Sequence, residues 1–294
     1  MSPVEMSAAD VSGTAVLLLS CLDQRGIVAA VSGFLAEKGV SIVHAEQHAD
    51  SEAGIFFQRV EFELEGLLGT VAELKADFLS VAVQFGIDFS LHLSTDRPRV
   101  AILCSQQGHC LYDLLARWGL GEMPGELALV ASNHATHQAV VERSGTPYHH
   151  LPVDPNDRPA QQRALLDLLA DSNVDLVVMA RYMQILPREL IDAFPHRIVN
   201  IHHSFLPAFP GGRPYHQAHA RGVKLIGATG HYATADLDEG PIIEQDVSRV
   251  NHRHSPAELV RRGRDLEMVV LARAVRAHLD HRVLVYGNKT VVFG

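Results

Sequence analysis

Residues 175–202 read DLVVMARYMQILPRELIDAFPHRIVNIH. The stretch opens on one short apolar run, DLVVMA, and closes on another, IVNIH. Near-continuous apolar content at that length marks a strand covered on both faces, as in a parallel sheet packed between helices. The second run breaks its own pattern at Asn200 and His202. Residues two apart on a strand face one side, so these two project together, with Ile201 packed behind them and His203 pointing the other way. Ligands of open parallel sheets bind beyond the carboxyl ends of the strands, which is where this pair falls. Buried amides and imidazoles are costly unless partnered, so the strand end calls for either chemistry or a satisfied polar patch.

The flanking sequence repeats the same grammar. RVAILCS (99–105), GELALVAS (125–132) and PYHHLPV (147–153) are further strand runs. They alternate with the helical patterns HCLYDLLARWG, NHATHQAVVERSG and RPAQQRALLDLLADSNV, the last with apolar residues at Ala164, Leu165, Leu168 and Leu169. This alternation predicts an α/β domain with a mostly parallel, Rossmann-like sheet. KLIGATGHYA and PIIEQDVSRV are expected to form an antiparallel pair, and Pro256–Leu279 a long helix. VLVYGNKTVVF is expected to be a hairpin over Gly287-Asn288.

Residues 14–94 follow another order: strand, helix, strand, strand, helix, strand. The first helix, IVAAVSGFLAEKG, ends at Gly39 as a C-cap, and GIFFQRVEFELE alternates at period two. Two such halves make an antiparallel βαββαβ (ferredoxin-like) sheet with helices on one face. The polar segment STDRPR (94–99) is a linker. Two domains are therefore expected, 12–94 and 99–294.

The totals exclude several classes. The chain has 294 residues, a net charge of −9 and no basic run, so no nucleic-acid footprint exists. Hydrophobic residues at 47% and charged residues at 20% fit a soluble globular enzyme. No apolar stretch approaches the ~20 residues of a membrane span, and MSPVEMSAADVSG lacks the regions of a signal peptide. The three cysteines, Cys21, Cys104 and Cys110, form no CxxC pair and are expected as buried thiols. A cytoplasmic address follows.

The acid partner for the imidazole is sought in TADLDEGPII, which supplies Asp236, Asp238 and Glu239. The Gly240-Pro241 turn returns one carboxylate towards the crevice. A carboxylate beside an imidazole favours the charged ring, and an Asn amide donates well to an oxyanion. The set suits attack on a carbonyl with no covalent nucleophile, since neither a GxSxG elbow nor an activated cysteine is present. A zinc site is the alternative, built from His216 and His219 with His202, His203 and Asp238, but no HExxH or Cys/His array supports it. RPYHQA, with Arg213 and His216, either shapes a channel or starts a solvated helix.

DQRGIVAAVSGFLAEKGVSI, with its element order, resembles the ACT domain. That resemblance implies a regulatory module binding an amino acid, such as glycine or methionine, at Asp23, Gly26 and Ile27. Helix N-terminal amides supply a physical basis for holding a carboxylate. The bland alternative is that Gly26 permits a turn and Asp23 caps the helix. ACT-like sheets commonly pair edge to edge, so a homo-oligomer is implied.

NIHHSFLPAF, followed by GGRPYHQAHARGVKLIGATGHYATADLDEGPIIEQ, resembles the formyltransferase domain of folate enzymes over about residues 99–285. The resemblance carries Asn200, His202 and Asp238 over as catalytic. Met183, Gln184, Ile185 and Leu186 become folate contacts, partly through backbone groups, with Asp236 and Gly240 also at the substrate. Two departures refine it. Glycinamide ribonucleotide transformylases carry a Gly-rich phosphate loop where this chain reads CSQQGHCLYDLL, with one glycine. They also read His-Pro-Ser where this chain has His202-His203-Ser204. Both changes, with the ACT-like module, resemble the formyltetrahydrofolate deformylases. The implied reaction is hydrolysis of 10-formyltetrahydrofolate to tetrahydrofolate and formate, with folate as substrate and no cofactor or metal. The alternatives are formyl transfer to an amine and a non-catalytic folate or amino-acid sensor.

Overall fold

The computed structural model describes residues 13–208 and 214–294; Phe209 and Arg213 lie outside them. The chain divides into two compact units. The first comprises residues up to Asp96 with His281–Leu284 and Val291–Gly294, and the second Arg97–Asp280 with Val285–Thr290. The expected unbroken block 99–294 is corrected at its end. Arg59 Nε donates to the His281 carbonyl at 3.1 Å, the His92 and His281 rings stack, and the Gly294 amide donates to Glu46 Oε2 at 3.0 Å. These bonds bring the last residues back to the first unit.

In the first unit, β1 (Thr14–Leu22), α1 (Ile27–Glu37), β2 (Ile42–Asp50), β3 (Ile55–Glu63), α2 (Val71–Phe85) and β4 (Asp88–Leu93) follow the expected order. The four strands form an antiparallel sheet in the order β2-β3-β1-β4. Alternate residues of the central strands (Ala15, Leu17, Leu19; Phe56, Val60, Phe62) pack with Val31, Leu35, Leu74 and Phe78 of the two helices. The period-two pattern thus buries one face beneath both helices. Thr70 caps α2 through a reciprocal bond pair with Glu73, a capping box. Helix α1 differs: its N-cap is Gly26, at φ 95°, with no side-chain cap bond. Asp23 therefore does not cap the helix, correcting that expectation; its amide instead donates to the Gly54 carbonyl.

The second unit is built on a seven-stranded sheet. Its strands are β5 (Arg99–Cys104), β6 (Glu126–Ser132), β7 (Tyr148–His150), β8 (Leu176–Ala180), β9 (Ile198–His202), β10 (Leu225–Tyr232) and β11 (Ile242–Arg249). The order is β11-β10-β9-β8-β5-β6-β7. The five strands from β5 to β9 run parallel, and β10 and β11 add an antiparallel edge. From β5 the chain winds to one side through β6 and β7, then returns to β8 on the other. The switch point thus lies between β5 and β8, where such sheets open a crevice.

Helices α3 (His109–Gly119), α4 (Gln138–Arg143), α5 (Arg158–Asp171), α6 (Arg188–Ala193) and α7 (Pro214–Arg221) connect these strands, and α8 (Pro256–Leu279) follows β11. Leu165, Leu169, Leu190 and Phe194 of α5 and its neighbours pack on Ala101, Leu129, Val177 and Ile198 of the sheet. Ser255 and Glu258 cap α8 reciprocally, and it packs on β9, β10 and α3. A two-stranded sheet, β12 (Val283–Tyr286) with β13 (Lys289–Val292), ends the chain. The three cysteines are free and buried.

Candidate active site

Strand β9 continues the row of Ile198, which lies in the core, with Asn200 and then His202. His202 is 4% exposed. The next residue, His203, keeps its ring 5.1 Å from that of His202 and lines an apolar cavity of about 410 Å³ with Phe205, Tyr215, Ile226 and Val247. The chain beyond His202 is tied down by Thr229 of β10. Its hydroxyl donates to the Ser204 carbonyl at 2.8 Å and accepts from the Leu206 amide at 3.1 Å.

Asp238 reaches this strand from the loop between β10 and β11. The Tyr232 amide donates to the Pro241 carbonyl, and Gly240 passes so close that a Cβ would overlap the Tyr232 carbonyl oxygen. The loop is shaped further by Thr234 Oγ1 donating to the Asp236 carbonyl and by Asn288 Nδ2 donating to the Glu239 carbonyl. Asp238 itself adopts φ 59°, in the left-handed region, where Asp is tolerated better than most residues. Its Oδ2 then lies 3.1 Å from His202 Nδ1.

This contact assigns the ring nitrogens. Nδ1–H donates to the carboxylate, and buried Nε2 has no hydrogen-bond partner among the described residues. An orphaned buried nitrogen is costly, so it is the atom poised for substrate. The hydrogen bond from His202 holds the Asp238 carboxyl below its usual range, against the opposing effect of burial.

A residue not singled out in the sequence completes the group. His231 of β10 pairs in register with Asn200, and its Nε2 lies 3.2 Å from Asn200 Nδ2. Its Nδ1 sits 3.0 Å from the Tyr232 carbonyl oxygen and must carry a hydrogen to bond there. Burial pushes the His231 imidazole below its usual value, so the ring is neutral and Nε2 accepts. The Asn200 amide is thereby oriented, its nitrogen towards His231. At 3.8 Å, His231 Nε2 and Asp238 Oδ1 are too far apart for a hydrogen bond. Within GATGHYA, His231 looks like a strand residue; only the pairing of β10 with β9 places it opposite Asn200.

The other expected residues divide. Met183 and Ile185 are 59% and 74% exposed, and Gln184 is half-buried. The Met183 amide donates to Ser105 Oγ at 3.1 Å, bridging the switch point between the ends of β8 and β5. Leu186, however, is buried in the core beside Leu190 and Phe194. A side-chain contact with substrate is corrected there, because the loop needs an apolar anchor. Asp236 is exposed and shapes the turn through its carbonyl, and Gly240 is buried under the loop. In the first unit Asp23 and Gly26 are exposed, whereas Ile27 is a core residue; its side chain is withdrawn from any effector.

The zinc constellation does not assemble. His216 and His219 are exposed on α7, whose inner face carries Tyr215 and Ala218. Among the described residues, His109, Cys110 and Glu267 are the group close enough to share an ion. Burial pushes the Cys110 thiol well above its usual value, so it stays protonated and a poor ligand, and Arg181 already occupies the neighbouring space.

Comparison with known proteins follows this division. A formyl transferase family model matches residues 98–275, and an ACT domain model residues 15–78. A formyltetrahydrofolate deformylase from Synechocystis sp. is 51% identical over 280 residues, 95% of this chain and 98% of that protein. The chain belongs to the formyltetrahydrofolate deformylase family. A crystal structure of a deformylase from Pseudomonas syringae pv. tomato superposes with a TM-score of 0.94 at 48% identity, covering 96% of this chain and 94% of that one. A glycinamide ribonucleotide transformylase from Symbiobacterium toebii gives 0.64 at 34% identity, covering 98% of that chain but 70% of this one. Deformylases therefore match nearly the whole chain, and the transformylase only part of it.

Proposed function

We infer that the protein is a formyltetrahydrofolate deformylase, hydrolysing 10-formyltetrahydrofolate to tetrahydrofolate and formate. The observation that carries the mechanism is the free, buried Nε2 of His202, aligned by Asp238 and neighboured by an oriented Asn200 amide. Water held by Asp238 attacks the formyl carbon and passes one proton to the free Nε2 of His202. The Asn200 amide and protonated His202 Nε2 stabilise the tetrahedral oxyanion. The C–N bond then breaks, its electron pair stays on the folate nitrogen, and a proton reaches that nitrogen through His202. Each step is supplied by a side chain, so no metal or cofactor is invoked.

The folate ring sits against the 183–186 segment, using the exposed Met183 and Ile185 side chains, Gln184 and backbone groups. Water as acceptor is supported by the turn after β5. A Cβ at Gly108 would lie 2.7 Å from His137 and 3.0 Å from the Tyr112 ring. Tyr112 and His137 bond each other at 2.7 Å, and His137 Nε2 lies 3.1 Å from the Gln106 carbonyl oxygen, closing the turn. An open nest of amides for a phosphorylated amine is replaced by packed rings.

The first unit is a regulatory module for a small amino acid at the α1 N-terminus, where Gly26 leaves the first amides without a side-chain cap. The chain assembles as a homo-oligomer through its ACT sheet, since among the described residues β2 leaves one edge unpaired and its Ile42 and Val43 exposed. Incubating purified protein with 10-formyltetrahydrofolate alone tests the activity. Stoichiometric formate and tetrahydrofolate, resistant to chelator, are expected; turnover that needs an added amine would replace hydrolysis with transfer.

A further inference from the structure

Helix α8 carries Glu267 on its packed face, only 1% exposed. A carboxylate so placed must be paired or it loses its charge. Its Oε2 lies 2.8 Å from His109 Nε2 and 3.4 Å from Arg181 Nε, while Oε1 accepts from the Tyr215 hydroxyl at 2.8 Å. Burial opposes ionisation, but the His109 bond and the Arg181 charge outweigh it and hold the carboxyl below its usual range.

The three partners come from three segments that border the site. His109 is the first residue of α3, after the turn that follows β5. Arg181 opens the 183–186 segment directly after β8, with φ 63° and 7% exposure. Tyr215 lies in the first turn of α7, and its ring fits only because residue 263 is glycine, whose Cβ would overlap it. The Tyr215 ring centroid is 6.2 Å from that of His203, which is 5.1 Å from that of His202. Among the described residues, Glu267 makes no hydrogen bond to Asn200, His202 or Asp238.

We propose that Glu267 is a positioning residue for the folate-side wall of the site. It fixes where the 181–186 segment leaves β8 and where Tyr215 packs beside His203. It therefore governs substrate affinity rather than bond breaking. Neutralising it leaves the largely buried Arg181 guanidinium without its counter-charge, and the segment ahead of Met183 shifts to relieve it. Displacement of a substrate-holding segment weakens binding while leaving the reacting groups in place. The proposal rests on the deformylase reading above.

The test measures KM, kcat and thermal melting of the full chain as wild type, Glu267→Gln, Arg181→Gln/Glu267→Gln and Tyr215→Phe. Glu267→Gln should raise KM for 10-formyltetrahydrofolate about tenfold with kcat within about threefold. Removing the stranded cation in the double variant should bring KM back to within about threefold of wild type. Tyr215→Phe, which buries no new charge, should raise KM about threefold. An unchanged KM in Glu267→Gln, a fall in kcat alone, or a double variant no better than the single overturns the proposal. Should Glu267→Gln fail to fold, Tyr215→Phe decides: a raised KM at constant kcat supports it, and an unchanged KM overturns it. Formate release by wild type in the same assay separates failure of this proposal from failure of the deformylase reading.

Discussion

Asp238 holds His202 Nδ1 at 3.1 Å from a backbone in the left-handed region, φ 59°. The loop that presents it turns sharply enough to aim one carboxylate at a strand 36 positions earlier in the chain. This single bond sets the tautomer of His202 and leaves Nε2 to the substrate.

Replacing Asp238 with Asn keeps the shape but removes the charge and lets the amide donate to His202. The tautomer is then reversed or the ring turns, and kcat should fall by about 10²–10³. Formate release in single turnover, with a melting curve to confirm folding, checks it. A rate within about threefold of wild type would remove Asp238 from the mechanism.

His231 should act through Asn200. His231→Phe leaves the Asn200 amide unoriented and should lower kcat about tenfold. In the Asn200→Ala background the same change should cost little, since nothing remains to orient. Additive losses in that cycle would show that His231 acts independently.

Gly240→Ala places a methyl group on the Tyr232 carbonyl oxygen. The bond between the Tyr232 amide and the Pro241 carbonyl must open, moving Asp238. A loss of about 2 kcal/mol in stability and a kcat fall of roughly 10²-fold are expected together. Retained kcat in a destabilised protein would mean that the loop and the carboxylate are not coupled.

Stability should fall in mild acid because of His203. Its imidazole is held at about 4, chiefly by burial and then by the Arg181 charge, against a usual value of 6.5. Between those values the unfolded chain binds a proton that the folded chain refuses, so stability drops as pH falls from about 6.5 to about 4. The loss approaches about 3 kcal/mol at the lower end. His203→Asn should flatten this slope, as read from urea midpoints near pH 7 and about pH 4.5. An equally steep slope in the variant would place the acid sensitivity elsewhere.

The limits of the sequence show in particular elements. Pro256–Leu279 is legible because Ser255 and Glu258 frame its start and apolar residues recur along it. The helix expected over 133–145 shrinks to Gln138–Arg143. Asn133 accepts from Ser105 Oγ, the His134 amide donates to Ser132 Oγ, and His137 joins Tyr112, so polar side chains hold the chain out of helix. Helix α6, six residues behind Pro187, is too short for periodicity to reveal. Ile27, the first residue of α1, and Leu186, in the loop after β8, both turn inward, because the helix buries its apolar face and the loop needs an apolar anchor.

The sequence alone determined the order of the strands and that Asn200 and His202 share a face. Both follow from local backbone geometry, in which strand side chains alternate and apolar spacing distinguishes helix from strand. The family resemblance named Asp238, but only the tertiary structure decided how it reaches His202, that His231 lies opposite Asn200, and that Glu267 gathers His109, Arg181 and Tyr215. Those meetings depend on sheet order, strand register and the close approach at Gly240, which join segments far apart in the chain. Local spacing cannot encode them, because each is the outcome of how the distant elements pack.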